Sequence, residues 1–218
     1  MVGELGCGAH QPCGIDRIPL MSPEQKRRGR AIVQADKKDQ CAVVEFLSRS
    51  YVQDFPDDAH IWVRRGRTLT MLCRYAEADA AFEAACQYAN QDLMELVWTS
   101  KGQSLVRRGH FEEAEYCHQR AKRLNPSRTH IWIHLASATW MRGDLELAEA
   151  RFRDALEVED EEHLRDEALF NLGGVLVALG NLEEAAQCYR EALEISPDYE
   201  IARFRLEDVE RALELQRE

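Results

Sequence analysis

A small set of residue types recurs at a nearly fixed interval along this chain, and that recurrence limits the possible folds more than any other feature. Trp62, Trp98, Trp132 and Leu169 are each followed, four residues later, by Gly66, Gly102, Ala136 and Gly173. Sixteen residues after the first set stand Ala78, Ala114, Ala148 and Ala185, and seven further on Ala85, Ala121, Ala155 and Ala192. Between those alanines lie Phe82, His118, Phe152 and Tyr189. The steps from unit to unit are 36, 34 and 37 residues, and the variation falls at the junctions. Each unit reads as helix, turn, helix. Gly109, Gly143 and Gly180 fall near the turns, where a positive φ is cheap for glycine. Gly66, Gly102, Ala136 and Gly173 are small because two helices must cross closely there, and the aromatic and alanine positions form an apolar stripe on the second helix. One such pair cannot bury its own apolar face, whereas a stack of them can.

The pattern resembles the tetratricopeptide repeat (TPR), W-x2-L-G-x2-Y, then A-x3-F, then P. The fourth unit matches most fully, with Leu169, Leu172, Gly173, Leu176, Gly180, Ala185, Tyr189, Ala192 and Pro197, and the second ends on Pro126 in the same place. The resemblance implies an all-α, right-handed superhelical solenoid of antiparallel helix pairs. Four units are expected over 59–199, at 59–92, 95–128, 129–162 and 166–199. Ser22-Pro23-Glu24 reads as a helix start, so 22–58 is a degenerate repeat or N-terminal helical cap. Residues 200–218, with Ala202, Leu206, Val209 and Leu213 on one face, read as a capping helix or a dimer contact. Residues 1–21 read as a flexible tail. Arg65, Lys101 and His118 depart from the family's apolar positions, which predicts looser packing between the first two units.

Composition excludes several classes. The 218-residue chain carries a net charge of −11, which opposes binding to phosphate backbones or anionic lipid. No apolar run approaches the roughly 18 residues of a membrane span, and the N-terminus lacks a basic opening and an apolar core of the secretory kind. The expected location is therefore cytoplasmic, with the seven cysteines reduced and acting as small buried hydrophobes. Cys7, His10 and Cys13 are close in sequence but match no paired metal-ligand spacing. No nucleophile, phosphate-loop or zinc-helix motif is present. No enzyme activity, cofactor or metal is expected.

What remains is binding. In TPR proteins the first helices of the units line a concave channel, and the resemblance places there Arg64, Arg67 and Met71 from the first unit and Gln103 and Arg107 from the second. His130, His134, Trp140 and Met141 follow from the third, and Asn171 from the fourth. Of the 24 positions so assigned, which also include Val63, Thr70, Thr99, Ser100, Ile133 and Phe170, only Glu167 is acidic. Trp62, Trp98 and Trp132, being in register, are expected in the core. The positions of the family's chaperone-tail clamp would fall on Val63, Arg67, Ser100, His130 and His134, which do not reproduce it. The expectation is a scaffold that receives an extended or helical protein segment, acidic in character, in the groove; the alternative is a structural protein that self-assembles through its terminal helices. A monomer or homodimer fits either.

Overall fold

The computed structural model describes residues 21–158 and 164–216. The tail with Cys7, His10 and Cys13, and most of the acidic run from Glu157 to Glu162, lie outside them. Among the described residues the chain is entirely helical. Five antiparallel pairs succeed one another: α1 Pro23–Asp36 with α2 Cys41–Asp54, α3 Ala59–Met71 with α4 Tyr75–Tyr88, α5 Gln91–Arg107 with α6 Phe111–Leu124, α7 Thr129–Arg142 with α8 Leu145–Leu156, and α9 Arg165–Leu179 with α10 Leu182–Ile195. A last helix, α11 Glu200–Leu215, closes the stack against α10. No described helix is long and apolar enough to cross a membrane.

Local chemistry sets the ends of these helices. Ser22, Asp58 and Asn90 accept backbone N–H bonds from Gln25, Ile61 and Leu93 at 3.1, 3.3 and 2.9 Å, each satisfying one orphan donor of a first turn. Inside every pair the first helix ends with the same five-residue backbone bond, from the N–H of Gln40, Arg74, His110, Asp144 and Asn181 to the carbonyls of Ala35, Leu69, Leu105, Thr139 and Leu176. That bond needs a left-handed residue just before its donor. Gly109, Gly143 and Gly180 supply it with φ of 76°, 100° and 83°. In the first two pairs it is Asp39 and Cys73, at φ 52° and 58°, that adopt it. A side chain in this region is strained by about 1 kcal/mol or more, so the shared turn, and not residue preference, imposes the geometry there. The exposure of Cys73 follows, and it corrects the expectation of uniformly buried thiols. Cys117 and Cys188 are buried, Cys41 and Cys86 half-buried, and all five described cysteines are free.

The crossing points are as close as the small residues require. A Cβ on Gly66, Gly102 or Gly173 would lie 2.7, 2.5 or 2.7 Å from the ring of Phe82, His118 or Tyr189. In the first pair the sizes are exchanged: Ile32, 1% exposed, stands at the glycine's register position, and the fully buried Ser48 at the aromatic's. The repeated tryptophans are half-buried and do more than pack. Trp62 and Trp132 each donate from Nε1 to the carbonyl of the preceding Pro56 or Pro126 at 2.7 Å, tying the helix to the turn between units. Arg203, at the same position of α11, donates to the carbonyl of Pro197.

Candidate functional site: the concave face of the first helices

Adjacent first helices pack side by side, and this sorts the positions assigned to the channel. Val63, Thr99 and Ile133 are buried between helices instead of lining open groove, and Thr70 and Ser100, buried as well, reach only the inner wall of a cavity. Thr70 donates to the backbone carbonyl of Gly66 and lies 2.8 Å from the Ser104 hydroxyl, joining α3 to α5. Facing outward on the same side, Arg67, Met71, Gln103, Arg107 and His134 come together around one cavity of about 410 Å³, floored by His118 and walled on the far side by Asp36 and Asp39. Five of the ten candidate residues thus share a site, and the other five do not belong to it.

Arg64 is turned to Asp36, with which it forms an ion pair. His130 Nε2 lies 3.5 Å from Glu95 Oε1, and this contact holds the Glu95 carboxyl below its ordinary range against the opposing effect of burial. Trp140 packs its ring edge onto Gly174, 2.8 Å from where a Cβ would stand, and belongs to the C-terminal core and to a second cavity of about 320 Å³ bordered by Phe170, Tyr189 and Val209. Met141 is exposed, and Asn171 is half-buried away from both cavities. The channel is also less poor in acids than its sequence positions indicate, because Asp36 and Asp39 enter from the first pair. The turn after α1 carries no sequence signal that it reaches this wall.

The chemistry of the site is graded by depth. At the rim Arg67 and Arg107 are exposed, and neither takes part in an ion pair among the described residues. Further in, the Gln103 amide donates to His134 Nε2 at 2.8 Å. At the floor His118 is 1% exposed, and neither of its ring nitrogens has a hydrogen-bond partner. Burial, reinforced by His134 and His130, pushes its pKa down to about 3, so the ring is neutral. The His134 ring centre lies 5.5 Å from it. Among the described residues no cluster of three metal-ligating side chains forms.

A tetratricopeptide-repeat family model matches residues 127–198. Human tetratricopeptide repeat protein 7B is 30% identical over 137 residues, which are 63% of this chain and 16% of that protein; the chain therefore spans only a small part of that relative. Among solved structures, the thermophilic TPR protein TTC0263 of Thermus thermophilus superposes with a TM-score of 0.64 at 20% identity, over 85% of this chain and 98% of that one. The first TPR of Spaghetti (RPAP3), bound to the HSP90 peptide SRMEEVD, superposes with a TM-score of 0.51 at 26% identity, over 55% of this chain and 93% of that one. Five pairs closed by one repeated turn, the close crossings at Gly66, Gly102 and Gly173 and these likenesses lead to one assignment: the chain has the fold of a tetratricopeptide-repeat solenoid, with the repeat itself matched over residues 127–198.

Proposed function

We propose that this protein is an interaction scaffold whose concave face receives an extended segment of a partner protein, with Arg67 and Arg107 engaging its carboxylates. The observation that carries this reading is the cavity shared by four consecutive pairs, with two uncommitted guanidiniums at its rim. An arginine free of internal partners is available for bidentate pairing with a carboxylate, and Met71 beside it adds adaptable apolar area. Peptide binding by the RPAP3 domain supports the general mode. The clamp residues are not reproduced here, so the ligand differs from that chaperone peptide in how its ends are held.

The test is affinity purification with the parent chain and an Arg67→Glu/Arg107→Glu double variant as baits, followed by titration of the purified partner at two salt concentrations. Binding should weaken at least tenfold in the variant, and in the parent it should weaken as salt rises, because rim charges are solvated and screened. Equal affinity of both baits would move the ligand off this face.

A further inference from the structure

We propose that the cavity floored by His118 is an anchor subsite for one uncharged carboxamide side chain, asparagine or glutamine, of the bound segment; this rests on the groove reading above. His118 occupies the position that Phe82, Phe152 and Tyr189 hold in other pairs, against the small residue of the first helix. Packing is therefore met by a phenyl ring, and the two nitrogens answer to something else. A buried polar atom left without a partner is costly, and here there are two in one ring. A group that enters the cavity and pairs with them recovers that cost on binding.

The surroundings select the chemistry of that group. A neutral imidazole offers one N–H and one lone pair, and its neighbours at the floor, Gln103, His134, Thr70 and Ser104, include no lysine, arginine or carboxylate and are bonded to one another in two pairs. A carboxylate would meet no cation at this depth and would share the cavity with Asp36 and Asp39. A lysine or arginine would pass between Arg67 and Arg107 to reach a wall where Asp36 is held by Arg64. An apolar side chain would leave the imidazole unpaired. A carboxamide carries two N–H donors and a carbonyl with two lone pairs, so it meets a donor and an acceptor together without bringing charge into the interior.

The experiment uses the full chain and four pentapeptides, Ala-Glu-X-Glu-Ala, acetylated and N-methylamidated, with X as glutamine, glutamate, leucine or threonine. Dissociation constants and the histidine ring resonances are followed by NMR. The glutamine peptide should bind about tenfold more tightly than the others and shift the His118 ring signal. In His118→Phe, which copies the chain's own Phe82 and Phe152, the four affinities should converge. The assignment is overturned if the leucine, glutamate or threonine peptide binds the parent as tightly as the glutamine peptide, or if His118→Phe keeps the preference. All four binding equally would leave the groove reading standing without its anchor, and none binding would overturn both. Acetamide alone shifting the His118 signal as strongly as the glutamine peptide at equal concentration would make this a small-molecule pocket and also overturn the anchor.

Discussion

The two ends of this array are built on different principles. From α7 to α11 a single cluster of 17 buried hydrophobic residues runs without interruption from Ile133 to Leu213. Before it, the buried hydrophobics fall into four separate groups, the largest of six residues around Ile32 and Tyr51. What divides them is polar: all twelve buried polar or charged residues among the described ones lie between Ser48 and Thr139. Ion pairs bridge the same junctions. Glu45, Asp79 and Glu115 occupy one register position on successive second helices, and each meets an arginine of the next unit, Arg74 just past the turn and Arg108 and Arg142 at the end of the first helix, at 3.0, 2.7 and 2.6 Å. At the following junction the acid is Glu149 and the arginine's place is taken by Leu179. The C-terminal units are held mainly by apolar area, with exposed ion pairs such as Arg153–Glu184 and Arg190–Glu210 at the surface, while the N-terminal ones hold one another through half-buried directional contacts, and it is there that the groove cavity lies. Departures from ideal packing that have a binding role tend to be concentrated where the site is.

This contrast breaks first under truncation of equivalent rings. Phe152→Ala, in the continuous core, should destabilise the protein by about 4 to 5 kcal/mol, and Phe82→Ala, in a group of four, by about 3. Urea denaturation measures both, and a larger loss at Phe82 would show that the N-terminal half is the better packed. Next in size is Glu115→Ala. Glu115 lies 2.6 Å from both Arg142 and Arg151, so its removal leaves two half-buried guanidiniums with only Asp144 and the Thr139 hydroxyl and should cost about 2 to 3 kcal/mol. Glu149→Ala, its counterpart, loses only contacts to the exposed Arg153 and should cost under about 0.5 kcal/mol. Equal losses would dissolve the distinction between the halves.

A further effect sharpens the comparison through pH. The folded-state pKa of His118 is depressed to about 3 from an ordinary 6.5, so below 6.5 the unfolded chain binds a proton that the folded chain refuses. Stability from this group is complete above pH 6.5 and is lost as pH falls toward 3. At pH 5 the loss amounts to about 2 kcal/mol. His118→Phe should flatten that limb, so that the stability difference between variant and parent grows by this amount from pH 7 to pH 5. A difference independent of pH would mean that the ring finds water or a partner in solution.

Much of this was open to sequence reading, and unevenly so. The periodicity located the crossings at Gly66, Gly102 and Gly173 because steric demand at a close approach leaves one residue type. It missed the equivalent turns at Asp39 and Cys73, since there the hydrogen bond holds a left-handed conformation that neither residue favours. The small-for-large exchange at Ile32 and Ser48 hid the first pair for the same reason: volume is conserved across the crossing and not at either position. For the groove, the register taken from the resemblance put Arg67, Met71, Gln103, Arg107 and His134 on one side, and they line one cavity. It could not say that Arg64 would be taken by Asp36, or that Trp140 would leave for the C-terminal core, because both depend on partners from neighbouring pairs. His118 stood out as a missing aromatic, yet only its burial without partners gave that departure a chemical meaning.

The shared register of the Asp79–Arg108 and Glu115–Arg142 pairs has a consequence for how the molecule could be edited. Deleting residues 95–128 would splice the start of α5 into α7 in phase, and Asp79 would then face Arg142 in place of Arg108, with charge and spacing preserved. The shortened array would keep the acid–arginine pair at the new joint, and so should fold, but it would have no His118, Gln103 or Arg107. The joints are interchangeable parts and the cavity is not, so assembly and recognition are written in separate residues and can be changed one without the other.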